Sequence, residues 1–209
     1  RRCFMVRLVL AALGTAGLIG LYFEFYAGRG LAGFFEYASY FTNLSNAGYV
    51  IVLLGLALLP RAKTDAPGFV AFRGAITVAM VATGAGYAVL LSDTASYFHN
   101  PWVNYVIHAI MPAVALVDWL AFPPGPPRIV FRDAACRWLI YPAVFAVYTA
   151  VRGALISWYP YFFIDPGEVG VRGALLATAT MGVGFTALAA GLVRYQHWRI
   201  RTSGSTPSP

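Results

Sequence analysis

A hydroxyl, an imidazole and a guanidinium stand inside runs of otherwise apolar residues. Thr42 belongs to the segment Ser39-Tyr40-Phe41-Thr42-Asn43-Leu44-Ser45-Asn46, while His108 and Arg152 interrupt two later runs. These types fit acyl transfer. Threonine would be the nucleophile, histidine the base that takes its proton, and Arg152, Asn43 or Asn46 the stabiliser of the anion that forms. Ser39, Thr42, Ser45, Asn46 and Tyr49 recur at three- and four-residue spacing, which puts them on one helix face. Single hydroxyls and amides in membrane helices are commonly packing glue, at about 0.6 kcal/mol each. A polar stripe opening one apolar run is more than one such residue.

Composition says which elements must hold these groups. The chain has 209 residues, 59% hydrophobic and 11% charged, with a mean hydropathy of +0.67. A soluble domain is about a quarter charged, and disorder needs low hydrophobicity. Both a soluble enzyme and a disordered chain are therefore excluded. Apolar runs of spanning length lie at about 4–26, 38–59, 69–91, 102–122, 138–158 and 173–195. The predicted fold class is all-α: one six-helix transmembrane bundle over residues 1–201, then a disordered Ser/Pro/Gly/Thr tail at 202–209. Gly84 and Gly86 on the third run, and Gly182 and Gly184 on the sixth, suggest close helix packing.

The formal charge of +7 is arranged for topology, not for nucleic acid. Twelve of the 15 Lys and Arg residues fall in groups on one side of the predicted bundle, and only Arg29, Arg152 and Arg172 fall on the other. This predicts both termini in the cytoplasm. Cys3 and Cys136 share the basic side and lack CxxC spacing, so they predict no disulfide framework.

Depth now selects among the polar groups. Counted from the sparsely charged side, Thr42 lies roughly 6 Å into span two, and His108 and Arg152 each roughly 9 Å into spans four and five. Three helices thus bring a hydroxyl, an imidazole and a guanidinium to one level. An ionisable group at such depth costs at least about 2.5–3.5 kcal/mol, so each needs a reason. Asp118 is ten residues beyond His108, about 15 Å along a helix. A direct bond between them is excluded, and Asp118 is expected to anchor the far end of the span beside Trp119. Neither set of residues offers the three protein ligands of a catalytic zinc, and no second axial group matches His108 for haem. No metal and no cofactor is expected.

The signatures Phe41-Thr42-x-x-Ser45-Asn46, His108-x3-Pro112-x5-Asp118-Trp119, Tyr141-Pro142, Tyr148, Arg152-Gly153 and Tyr159-Pro160-Tyr161 resemble a known family. It is the androgen-induced protein / androgen-dependent TFPI-regulating protein family, with its bacterial six-span relatives. The resemblance covers most of the six-span core. Its animal members are multi-pass hydrolases of fatty acid esters of hydroxy fatty acids, using a threonine nucleophile and a histidine. It therefore implies Thr42 as nucleophile and His108 as its partner. Asn46, Asp118 and Arg152 follow as site or structural positions. The charge pattern suits a bacterial member in the inner membrane. The expected function is an intramembrane hydrolase of a lipid ester, with the bilayer and that ester as partners. Asn43, Ser45, Asn46 and Arg152 would contact the substrate or its oxyanion. The alternative is a small-solute transporter or channel, against which stand the lack of a repeat and the off-centre polar groups.

Overall fold

The computed structural model describes residues 2–203, and the side chains of 4–202. Among these residues there are helices and no strands. The helices are α1 (Arg2–Phe25), α2 (Gly30–Tyr37), α3 (Phe41–Leu58), α4 (Pro67–Gly86), α5 (Pro101–Ala121), α6 (Phe131–Trp138), α7 (Ile140–Ile156) and α8 (Pro166–Ser203). A single helical turn at Arg61–Thr64 links α3 to α4. Six segments are long and apolar enough to cross a membrane. The protein is a multi-pass integral membrane protein with an all-α six-helix bundle.

Proline sets several starts. Pro67, Pro101 and Pro166 each open a helix, where the missing N–H costs nothing. Proline also reshapes α5. Pro112 cannot donate to the His108 carbonyl and its ring crowds that oxygen. The turn just before it, Val106–Ile110, widens to π geometry. Such bulges recur at functional sites. A second π turn, Tyr87–Leu91, extends α4 at the same end of the bundle.

The four helices α1, α3, α4 and α5 share one apolar core around Tyr49, Val52, Leu53, Met80, Ile107 and Met111. Gly14, Gly17 and Gly20 form a seam on α1. A Cβ on Gly17 would lie 2.7 Å from Val106, and one on Gly20 would lie 2.9 Å from Val103. Small residues thus let α1 and α5 approach. Gly84 does the same against Pro112, at 2.8 Å, whereas Gly86, Gly182 and Gly184 face open space. The expected close packing holds only for the first of those four.

A second core, including Trp119, Trp138, Val78 and Leu192, lies between α4, α5, α6 and α8. Gly74 is its tightest point, because a Cβ there would enter the Trp138 indole. Gly74→Ala is expected to lower stability by about 1–3 kcal/mol, as overpacking does. Thermal unfolding in detergent measures it.

The basic end is closed by an ion triad. Asp118 on α5 accepts from Arg7 of α1 at 3.0 Å and from Arg73 of α4 at 2.8 Å. The Arg73 guanidinium also donates to the Phe122 carbonyl at 2.8 Å and faces the Trp119 ring. The expected anchoring of Asp118 is therefore made by two arginines, next to a buried Trp119.

The structure differs from the sequence-based boundaries at three places. Span two starts at Phe41, not at 38, because α2 precedes it and Tyr40 is extended (φ −93°, ψ 129°). Ser39 then lies off α3, its hydroxyl donating to Phe35 O at 2.6 Å. Span five is two helices, broken at Leu139 between α6 and α7. Span six begins at Pro166, with a break at Gly170 (φ 72°), and runs through Ser203. Thr202 and Ser203 are thus helical, and the rest of the expected tail, 204–209, lies outside the described residues.

Candidate functional site

The first two turns of α3 carry Thr42, Ser45 and Asn46 of the polar stripe together with Asn43, and all four are buried. Each amide is engaged. Asn43 Nδ2 donates to Tyr37 O at 2.8 Å, which ties α3 back to α2. Asn46 Nδ2 donates to two carbonyls at once, Thr42 O at 2.9 Å and Ile107 O at 3.0 Å. Asn46 therefore clamps the turn of Thr42 to the π turn of His108. Its Oδ1 is enclosed and has no donor. Ser45 shares a hydrogen bond with the Tyr141 hydroxyl of α7 at 3.0 Å. Both N–H groups of Asn46 are taken by backbone oxygens, whereas Asn43 spends one of its two on Tyr37 O and keeps the other.

A further group, Tyr161, to which sequence reasoning gave no role, lies at the same turn. The loop between α7 and α8 folds over the start of α3. It turns at Ser157, which is left-handed (φ 52°), and runs extended at Tyr161. The Thr42 backbone N–H donates to the Tyr161 hydroxyl oxygen at 3.3 Å. Tyr161 stacks on Phe163 at 5.3 Å and meets Tyr40 edge-on at 5.8 Å. Burial pushes its hydroxyl up to about 12, with hydrogen bonds from Thr42 pulling the other way. Tyr161 is consequently a neutral phenol at physiological pH, with an O–H to donate.

His108 is oriented by its own helix. Its Nδ1 lies 2.6 Å from Asn104 Oδ1, four residues earlier. Asn104 Nδ2 lies 2.6 Å from the Tyr87 hydroxyl, and Tyr87 stacks flat on the imidazole at 4.0 Å. In this orientation of the amide, Nδ1 carries the proton and Nε2 is the basic nitrogen. Nε2 has no hydrogen-bond partner among the described residues and is not one of the sealed unpartnered atoms. The asparagine oxygen thus fixes both the ring orientation and its tautomer. Asn104 was legible in principle, since a spacing of four puts it beside His108 on a helix. Tyr87 was not, because it comes from another helix.

No hydrogen bond joins Thr42 to His108 among the described residues. The two lie on facing turns clamped by Asn46, with the imidazole turned toward α4 and the threonine toward Tyr161. Arg152 is on a third side. It stacks on Trp158 at 4.0 Å, and Trp158 meets Tyr40 at 5.7 Å. The shared depth read from the sequence therefore resolves into two adjacent positions and one separated by an aromatic layer. Metal-ligating side chains do not cluster among the described residues.

The bundle defines a multi-pass membrane protein with a cluster of buried polar side chains at the start of α3 and of α5. Comparison of the chain with protein-family models, with curated proteins and with solved structures finds no match.

Proposed function

We propose that the protein is an intramembrane hydrolase that cleaves a lipid ester through Thr42, with His108 as base. The observation that carries this reading is the Asn46 clamp, which holds the turn of a buried threonine against the turn of a histidine already oriented by Asn104. Hydrogen bonds between catalytic groups are often longer before substrate arrives, and here the two side chains would have to turn toward each other as the ester binds.

The steps follow from the groups. Thr42 Oγ1 attacks the ester carbonyl carbon while His108 Nε2 takes its proton. The carbonyl oxygen becomes an oxyanion beside the Tyr161 hydroxyl, whose neutral O–H can turn to donate. The C–O bond to the alcohol breaks, and the imidazolium returns the proton to the leaving alkoxide. Water then gives its proton to His108 and attacks the acyl-threonine. Collapse releases the acid and restores the Thr42 hydroxyl. The positive end of the α3 dipole favours the anionic intermediate.

The substrate class is a fatty acid ester of a hydroxy fatty acid or a similar lipid ester. The protein sits in a bacterial inner membrane with both termini in the cytoplasm, and the substrate enters from the opposite leaflet. Ser45 supports the site through Tyr141. Purified protein in nanodiscs should release free acid from such esters. A preparation that hydrolyses none, yet carries a small solute across liposomes, would be a transporter.

One variant probes the histidine alone. Asn104→Leu frees the imidazole to rotate and to change tautomer. It is expected to lower kcat about a hundredfold, within the range for general base catalysis, with little change in KM. Asn104→Asp should keep much of the rate.

A further inference from the structure

We propose that the groove on α7 is a binding site for a free fatty acid, with its carboxylate on Arg152 and its chain laid along the helix. The proposal deepens the hydrolase reading and rests on it in one respect: a fatty acid is what ester hydrolysis would supply.

Helix α7 is the least enclosed span. Of the spanning segment that contains it, 11% is buried, against 61% for α3. Two shallow, open apolar depressions lie along it. Tyr148 lines both, so they form one track from Ala143 to Ile156, roughly 20 Å at 1.5 Å per residue. From Arg152 to Ala143 it covers roughly 14 Å, close to half of a hydrocarbon core of about 30 Å, the share of one acyl chain. The walls are Val144, Val147, Val151, Leu155 and Phe35.

One end of this track is charged. Arg152 lines it, has no carboxylate partner among the described residues, and has Nη1 enclosed with no acceptor. Trp158 covers one face of the guanidinium, and with Nη1 enclosed a ligand would meet the remaining N–H groups on the groove side. Arginine forks match carboxylates, and an unpaired one within a span calls for an anion. A neutral chain would fill the track and leave that charge alone. The head end also lies near the reaction centre: Tyr148 shares a 2.7 Å hydrogen bond with Ser39, three residues before Thr42. Trp158, Tyr40 and Tyr161 form the aromatic wall between them.

The test uses full-length protein in phosphatidylcholine nanodiscs, with photoreactive palmitic acid and the matching alcohol. The acid should bind at least about tenfold more tightly, as one charge-assisted hydrogen-bonded pair implies, and crosslink within 143–156. Arg152→Gln should erase the preference, Arg152→Lys should keep part of it, and Leu155→Trp should weaken both ligands. Equal binding of acid and alcohol to the unmodified protein, a preference that survives Arg152→Gln, or crosslinks confined to other helices would overturn the assignment. Hydrolysis of p-nitrophenyl butyrate, which has no carboxylate, is followed in the same samples. Its absence with the acid preference intact removes the hydrolase reading alone; its presence without the preference removes the groove assignment alone.

Discussion

Thr42→Ala is expected to abolish ester hydrolysis, lowering kcat by about 10⁴-fold or more while the protein stays folded. The magnitude follows from what a nucleophile contributes when it acts as a unit with its base. Removing either partner forfeits the covalent route, and only substrate binding and oxyanion stabilisation remain. Folding should survive because the side chain lost is small. The bonds that hold the turn come from backbone atoms: Thr42 O to Asn46 and Thr42 N–H to Tyr161. Thr42→Ser keeps a hydroxyl and should retain measurable activity. Steady-state hydrolysis with a monodisperse sample checks both. An alanine variant at the unmodified rate would remove Thr42 from the chemistry.

The largest stability effect is expected at Asp118. Its carboxylate answers two guanidinium groups, each mostly enclosed, with side-chain exposures of 17% for Arg7 and 7% for Arg73. Asp118→Ala leaves both cations without a counter-ion between α1, α4 and α5. Breaking a buried pair by removing one partner costs about 3–5 kcal/mol. The same change made together with Arg73→Met should cost less, since only Arg7 is then left unpaired. The α1 arginine keeps a second acceptor, Leu56 O at 3.4 Å, and it lies over the Phe122 ring. Thermal unfolding of the single and double variants gives the comparison. A double variant as unstable as Asp118→Ala would mean that the carboxylate matters for reasons other than Arg73.

The two effects sit at opposite ends of the bundle, and they were not equally legible. Hydropathy alone located six spans, because about 20 apolar residues in sequence have few other uses. It missed α2, since Gly-Leu-Ala-Gly-Phe-Phe-Glu-Tyr is too short to span and carries no cap signal. That helix moves the start of α3 to Phe41 and takes Ser39 out of the stripe. Depth counting brought Thr42 and His108 to one level, and Asn46 ties the turns that carry them together while their side chains face different neighbours. Depth counting says nothing about direction around a helix axis. Arg152, counted to the same level, lies on the open face of α7 against Trp158. The π turns shift side-chain phase as well, which no straight-helix count includes. Tyr161 was out of reach for another reason: a loop residue acquires its neighbours from the whole fold. Its motif was visible in the sequence, but its contact with the Thr42 backbone was not.

The most direct measurement is the site of covalent attachment. Purified protein treated with an alkyl fluorophosphonate, or quenched in acid during turnover of an ester, is digested and its peptides weighed. The added phosphonyl or acyl mass is expected on Thr42, lost in Thr42→Ala and slowed in Asn104→Leu. Attachment at another residue, or turnover of the ester with no adduct on residues 41–46, would contradict it.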